Sequence, residues 1–172
     1  MVSTRQMSPE ELTGVEEIDV SESGYLVYYY REGKIATKRE ARHRAPRNAE
    51  AWGSYIERWK AILERTGVAL GAFDGKRLVG IAVLEYHLTE SMAHLVALFV
   101  SKDYRRQGIA SQLTQEIMRL AKAHGASQIY VSATPSASAI GFYLSQRFVL
   151  AQQVHKDLYA LEPEDLHLMR EL

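Results

Sequence analysis

The chain contains no cysteine, and that absence removes disulfides, thiol nucleophiles and thiolate metal ligands together. It fits a reducing compartment, so a cytoplasmic location is the expectation. No stretch approaches the ~18 consecutive apolar residues that a membrane-crossing helix needs, and the opening segment Met1 to Gly14 lacks the apolar core of a secretion signal. No membrane partner is expected. An excess of either charge is missing too: 21 Lys and Arg face 21 Asp and Glu, so no global field draws the chain to nucleic acid or anionic lipid. Any anion it binds must be held by a local site. The six histidines are scattered, show no HExxH pattern and have no thiolate partner, so no metal site is expected. Repeats and low-complexity linkers are also absent. What remains is a chain of 172 residues, 47% hydrophobic, which is enough for one substantial core and predicts one domain over residues 1–172.

Changes in hydrophobic period mark the elements. Ser8, Pro9 and Glu11 make a helix start, with a cap, a first-turn proline and a capping-box acid, and Leu12, Val15 and Ile18 then share a face. The run from Gly24 to Lys38 reads as two extended segments around Glu32-Gly33. The basic stretch Lys38 to Asn48 reads as a solvated loop, with contact to an anionic ligand as the alternative. From Asn48 to Gly67, Trp52, Tyr55, Ile56, Trp59, Ile62 and Leu63 recur at helical spacing, and Gly67 suits a C-terminal stop. The tryptophans read as core, with a pocket lining as the alternative.

Three strand-like runs follow: Val68 to Asp74, Arg77 to His87 and Met92 to Val100. Asp74-Gly75 is a hairpin signal, so the three are expected as an antiparallel meander. Leu95 to Val100 is apolar on both alternating faces, as in a strand covered on both sides. Ile109, Leu113, Ile117 and Leu120 then form the stripe of a helix that starts near Gly108 and stops at Gly125. A strand from Ser127 to Ala133, a helix from about Pro135 to Gln146 and closing strands between Phe148 and Leu172 complete the layout. The predicted class is α/β, with a central sheet and helices on both faces.

The loop before the Gly108 helix carries the chemistry. A helix start leaves amide N–H groups without internal partners and holds the positive end of the macrodipole, so an anion is stabilised there. Gly108 permits close approach, Ala110 keeps the next contact small, Arg105 and Arg106 add charge, and Ser111 adds a hydroxyl. The arrangement suits a pyrophosphate. Neither the three-glycine dinucleotide fingerprint nor the GxxxxGK[ST] phosphate loop is present.

The segment from Leu95 to Gly125 resembles the acetyl-coenzyme A signature of the GNAT N-acetyltransferase superfamily, in which an RxxGxA loop follows the central strand; here the loop is Arg105, Gly108 and Ala110, with Arg106, Gln107 and Ile109 between. The resemblance runs from about Val68 to Phe148. Within it, Ser136 to Phe148 is similar to the family's AxxFYxxxGF segment, with Ala139, Phe142, Tyr143 and Phe148 in register. Ser136 stands where members often have asparagine, and Arg147 stands in place of a glycine. Gly141, in mid-helix, costs about 1 kcal/mol relative to alanine unless close packing requires it.

The resemblance implies a mixed, mostly antiparallel GNAT-like sheet and an acyltransferase that moves the acetyl group of acetyl-coenzyme A directly to a primary amine of a small molecule or protein. It implies that backbone groups of Leu98, Phe99 and Val100 hold the pantetheine arm in the manner of an added strand. Arg105 through Ser111, with Ser136, Ala139 and Phe142, would hold the rest of the coenzyme. Tyr143 matches the family tyrosine and is the expected acid for the departing thiolate. His94 is the first candidate base, on a strand stretch similar to that of histone-acetylating members, and Glu85 on the neighbouring strand is the second; a water chain is the third option. A coenzyme A-binding regulatory module without turnover is the alternative function. The acceptor pocket is expected from the N-terminal third, including the tyrosine-rich Tyr25 to Tyr30 and the Trp52/Trp59 helix. The expected partners are acetyl-coenzyme A and an amine, with a homodimer left open.

Overall fold

Every residue from Val68 to Phe73 is buried, because the strand that carries them is covered on both faces. Val68, Leu70 and Ala72 belong to one apolar cluster, and Ala69 and Phe73 belong to another on the opposite side. The period of two thus divides one strand between two cores.

The computed structural model describes residues 1–172. In chain order the strands and helices are β1 (Val2–Met7), β2 (Glu22–Arg31), β3 (Lys34–Arg44), α1 (Ala49–Arg65), β4 (Gly67–Asp74), β5 (Arg77–Glu85), β6 (Met92–Val100), α2 (Ile109–Ala123), β7 (Gln128–Ala133), α3 (Ala137–Ser145), β8 (Val149–Leu150), α4 (Lys156–Leu161) and β9 (Leu166–Glu171), with a 3-10 segment at Pro9–Glu17. Seven strands form one sheet in the order β1-β4-β5-β6-β7-β9-β8, and β2 and β3 form a separate two-stranded sheet, tied to the rest by an isolated bridge between Val27 and Ser136. Within the sheet β6 and β7 are parallel, and every other neighbouring pair is antiparallel. The expected meander is therefore β4-β5-β6. No helix is long and apolar enough to cross a membrane.

Helices cover both faces. Ile109, Leu113, Ile117 and Ala121 of α2 join the first cluster, while Leu12 and Val15 of the 3-10 segment and Trp52, Ile56 and Trp59 of α1 join the second. Full burial of side chains such as Leu113 and Ile117 contributes roughly 1.5–3 kcal/mol each. Asn48 caps α1 by accepting the Ala51 amide at 2.8 Å, and the tryptophans are core, 0% and 1% exposed.

Three local expectations are corrected, and one strand, β1, was not anticipated. The basic stretch from Lys38 is not a loop as far as Arg44: it is the second half of β3, paired with β2 through backbone bonds and exposed along most of its length. His155 to Leu161, expected as strand, contains α4, with Leu158 its buried residue. The N-terminal strand β1 has Met7 as its buried residue and carries almost no apolar pattern. Gly67 is not a left-handed helix stop but the first residue of β4, where a Cβ would lie 2.4 Å from Ile62 Cγ2 and 2.5 Å from Leu84 O. It is glycine for close approach, not for a turn.

Candidate functional site

Strands β6 and β7 pair only at Met92–Gln128, Ala93–Ile129 and His94–Tyr130; beyond His94 they part. Val96 adds to the opening: Val83 pairs with Ala97 and Leu84 with Leu95, so Val96 is an extra residue in β6. Such a bulge bends its strand and re-aims its side chains. The β7-facing backbone of β6 past His94 is thus unpaired within the sheet, an edge that an extended ligand can join. The gap is a cavity of about 510 Å³, with Leu95 through Val100 on one lip and Val131 through Thr134 on the other. This volume lies within the roughly 300–1,000 Å³ range of small-molecule sites.

The cavity runs onto the start of α2, where Gly108, Ala110 and Ser111 line it with Arg105 and Arg106. Gly108 is the N-cap at φ 83°, with no side-chain cap and no acidic residue in the first turn. Both usual ways of neutralising a helix start are therefore missing. Arg106 also adopts the left-handed region, φ 62°, so the loop curls tightly and presents the helix's free amides. Arg105 is committed elsewhere: its guanidinium donates to Val100 O at 3.2 Å and Ser21 O at 3.1 Å, knitting the loop to the end of β6. The side chain of Arg106 makes no such bond and is the free positive charge here.

At the other end α3 brings Ala139, Phe142 and Tyr143 to the wall. Tyr143 is buried, and burial first, then the Asp165 carboxylate, push its phenol above the usual range. It therefore stays protonated at neutral pH. Asp165 lines the same cavity, where it accepts a long hydrogen bond from Ser132 Oγ at 3.4 Å. Burial and then the neighbouring Glu162 push its carboxyl up to about 7, the range suited to taking and returning a proton at neutral pH. Glu22, Arg44, Arg47, Tyr55 and Glu162 complete this end, with Arg44 and Glu22 paired at 2.9 Å.

Leu98, Phe99, Val100, Arg105, Arg106, Gly108, Ala110, Ser111, Ala139, Phe142 and Tyr143 thus come together as the sequence suggests. Five other candidates stand outside the lining. Gln107 is exposed and donates to Asp103 O. Ile109 is core. Ser136 caps its own helix by accepting the Ala139 amide at 3.2 Å. His94, 3% exposed, sits at the vertex where β6 and β7 part, with Nδ1 3.5 Å from Glu85 Oε2. Burial lowers its pKa more than Glu85 raises it, and neither residue lines the cavity. His94 pairs across the hairpin with Glu85.

Among the residues that sequence reasoning missed are Val96, the β7 lip, Glu22, Glu162 and Asp165. Val96 becomes distinct only through strand register, and the carboxylates lie in a connection without any motif. Of the basic stretch, Arg44 and Arg47 line the cavity. The tyrosine-rich run contributes nothing to this cavity: Tyr28, Tyr29 and Tyr30 line a separate one of about 730 Å³ between the β2–β3 hairpin and the C-terminal segment. Arg147 takes φ 64°, so the turn before Phe148 keeps the conformation of a glycine there. No packing explains Gly141, since a Cβ would meet nothing within 4 Å.

Comparison with known proteins agrees with this fold. A search of curated proteins finds no match. Among solved structures, nourseothricin acetyltransferase superposes with a TM-score of 0.76 at 17% identity, over 99% of this chain and 98% of that one. The PaiA N-acetyltransferase from Thermoplasma acidophilum in complex with coenzyme A gives 0.61 at 17%, over 100% and 99%. An acetyltransferase from Bacillus anthracis str. Ames in complex with acetyl coenzyme A gives 0.70 at 18%, over 100% and 99%. At these identities the likeness is one of fold. The family model for GNAT acetyltransferases matches residues 34–148, from the first residue of β3 to the phenylalanine after Arg147, and on that match the chain belongs to the GNAT acetyltransferase family.

Proposed function

We propose that this protein is an acetyl-coenzyme A-dependent N-acetyltransferase acting on a primary amine. The observation that carries the reading is the continuity of one cavity: the unpaired edge of β6 leads from the uncapped start of α2 to Tyr143. The diphosphate of the coenzyme lies against the first-turn amides of α2 beside Arg106, and its amide-bearing arm pairs with Leu98 to Val100. The thioester then falls near Tyr143.

Two proton movements are required. The acceptor arrives as an ammonium ion and must lose a proton before its nitrogen can form the N–C bond. Asp165 receives that proton, because it lines the cavity and its carboxyl is raised into the working range. His94 and Glu85 stand behind the lining and take no direct part. As the C–S bond breaks, negative charge collects on sulfur. The buried Tyr143 phenol is a weaker acid than a thiol, so it first stabilises the thiolate by donating a hydrogen bond; the second proton, shed by the nitrogen as the amide forms, then passes to the sulfur by way of the phenol, which releases coenzyme A as the thiol and leaves Tyr143 protonated.

Acetyl-coenzyme A at ~100 times its dissociation constant stabilises the fold by about 2.7 kcal/mol, and a thiol-release assay over an amine panel then detects turnover. Tyr143→Phe lowers kcat by roughly 100-fold or more while coenzyme-induced stabilisation persists. Unchanged turnover in this variant removes Tyr143 from the mechanism.

A further inference from the structure

Arg47 lies at the acceptor end of the cavity. Its guanidinium is packed against three aromatic rings, 4.4 Å from the centroid of Tyr55, 4.8 Å from Trp52 and 5.2 Å from Phe99. One nitrogen, Nη2, donates to the Tyr55 hydroxyl at 3.1 Å. The other, Nη1, is buried and has no hydrogen-bond partner, and no carboxylate lies within ion-pair distance of this side chain, in contrast to the neighbouring Arg44. Ring faces attract the cation, but they leave the in-plane N–H donors of Nη1 unused. A buried donor left unpaired is unfavourable, and Arg47 lines the same cavity as Glu162 and Asp165.

The charges at this end are mixed. Arg44 and Glu22 neutralise each other, which leaves Arg47 as the unpaired cation and Glu162 and Asp165 as the acids. Glu162 is close enough to act electrostatically on both Arg47 and Asp165. A purely cationic acceptor would bring positive charge against Arg47. One that carries a carboxylate as well as its amine matches both signs.

We infer that the acceptor is an amino acid or a similar small amine bearing a carboxylate, held by Arg47 through that carboxylate while its ammonium group faces Glu162 and Asp165. The inference rests on the acetyl-transfer reading. It adds the group that selects the substrate. A planar guanidinium fixed by aromatic rings is suited to a two-point bond with a carboxylate, and the rings of Tyr55 and Phe99 supply an apolar wall for the body of the acceptor.

The test compares α- and ω-amino acids with their carboxamides and with the corresponding decarboxylated amines, by thiol release from acetyl-coenzyme A. The expected result is a kcat/KM for the preferred amino acid at least tenfold above that of its amide. In Arg47→Gln that ratio collapses toward one, whereas Arg47→Lys, which retains the charge, keeps part of it. N-acetyl amino acids should raise the melting temperature of the coenzyme A complex further in the wild type and not in Arg47→Gln. Amides used as well as acids, turnover confined to amines without a carboxylate, no turnover of any amino acid by a chain that binds acetyl-coenzyme A, or a preference that survives in Arg47→Gln would each overturn the inference. Failure of the underlying reading looks different: acetyl-coenzyme A gives no stabilisation and no amine releases thiol.

Discussion

Replacing Ala110 with glutamate separates the two roles of the α2 start. Ala110 lies in the first turn of the helix and lines the cavity, and that turn carries no acidic residue. A carboxylate there complements the macrodipole, worth about 0.3–1 kcal/mol, so the free protein should be as stable as the wild type or slightly more so. Toward a diphosphate the sign reverses. At about 6 Å and an effective dielectric constant of about 40, one like-charge pair costs about 1.4 kcal/mol. A second phosphate charge at about 12 Å adds about 0.7 kcal/mol, and the total of about 2 kcal/mol weakens binding by about 30-fold. At a coenzyme concentration 100 times the wild-type dissociation constant, the stabilisation should fall from about 2.7 to about 0.9 kcal/mol. Thermal or urea unfolding with and without acetyl-coenzyme A reads both effects. A variant that binds as tightly as the wild type would refute the placement of the diphosphate; a variant whose free form loses stability would show that the substitution tests packing instead.

Further outcomes follow from particular residues. The raised carboxyl of Asp165 binds its proton more tightly in the folded than in the unfolded chain, so the stability it contributes is fully present below about pH 4 and is lost as pH rises through about 7. Asp165→Asn should therefore melt above the wild type at pH 8, with the difference shrinking by pH 5, and it should lose turnover at pH 8; equal melting at pH 8 or retained turnover contradicts the assignment. Gly141→Ala should gain about 1 kcal/mol, or about 2–4 °C in melting temperature for a chain of this size, because a Cβ there meets nothing. Arg147→Gly should stabilise by about 1 kcal/mol through relief of the left-handed backbone at φ 64°, read as a higher urea midpoint.

The parts of the fold legible in the sequence are those that bury a regular face. The meander β4-β5-β6 and the helices α1, α2 and α3 show their periods because the sheet is covered on both sides. The misread elements lack that signature. Strand β3 carries Lys38, Arg39, Glu40 and Arg42 to solvent and is held by backbone pairing to β2, so its side chains record no burial. Helix α4 buries Leu158 alone, too little to set a period, and β1 is an edge strand with one buried side chain.

The site divides along the same line. A backbone device such as the Gly108 turn leaves a mark in the local sequence, since only particular residues tolerate it. Arg47 and Asp165 are more than one hundred residues apart in the chain and meet only because the N-terminal segment and the C-terminal strand pair approach the same gap in the sheet. His94 shows the converse. Its position in the sequence was suggestive, but strand register places it at the closed vertex, paired with Glu85.

The most direct measurement is a crystal structure of the protein grown with acetyl-coenzyme A. The account predicts the diphosphate within hydrogen-bond distance of the amides at the start of α2, the pantetheine arm paired with β6, and the thioester sulfur facing the Tyr143 hydroxyl. Coenzyme bound elsewhere, or a gap between β6 and β7 that stays empty at saturating ligand, would contradict it.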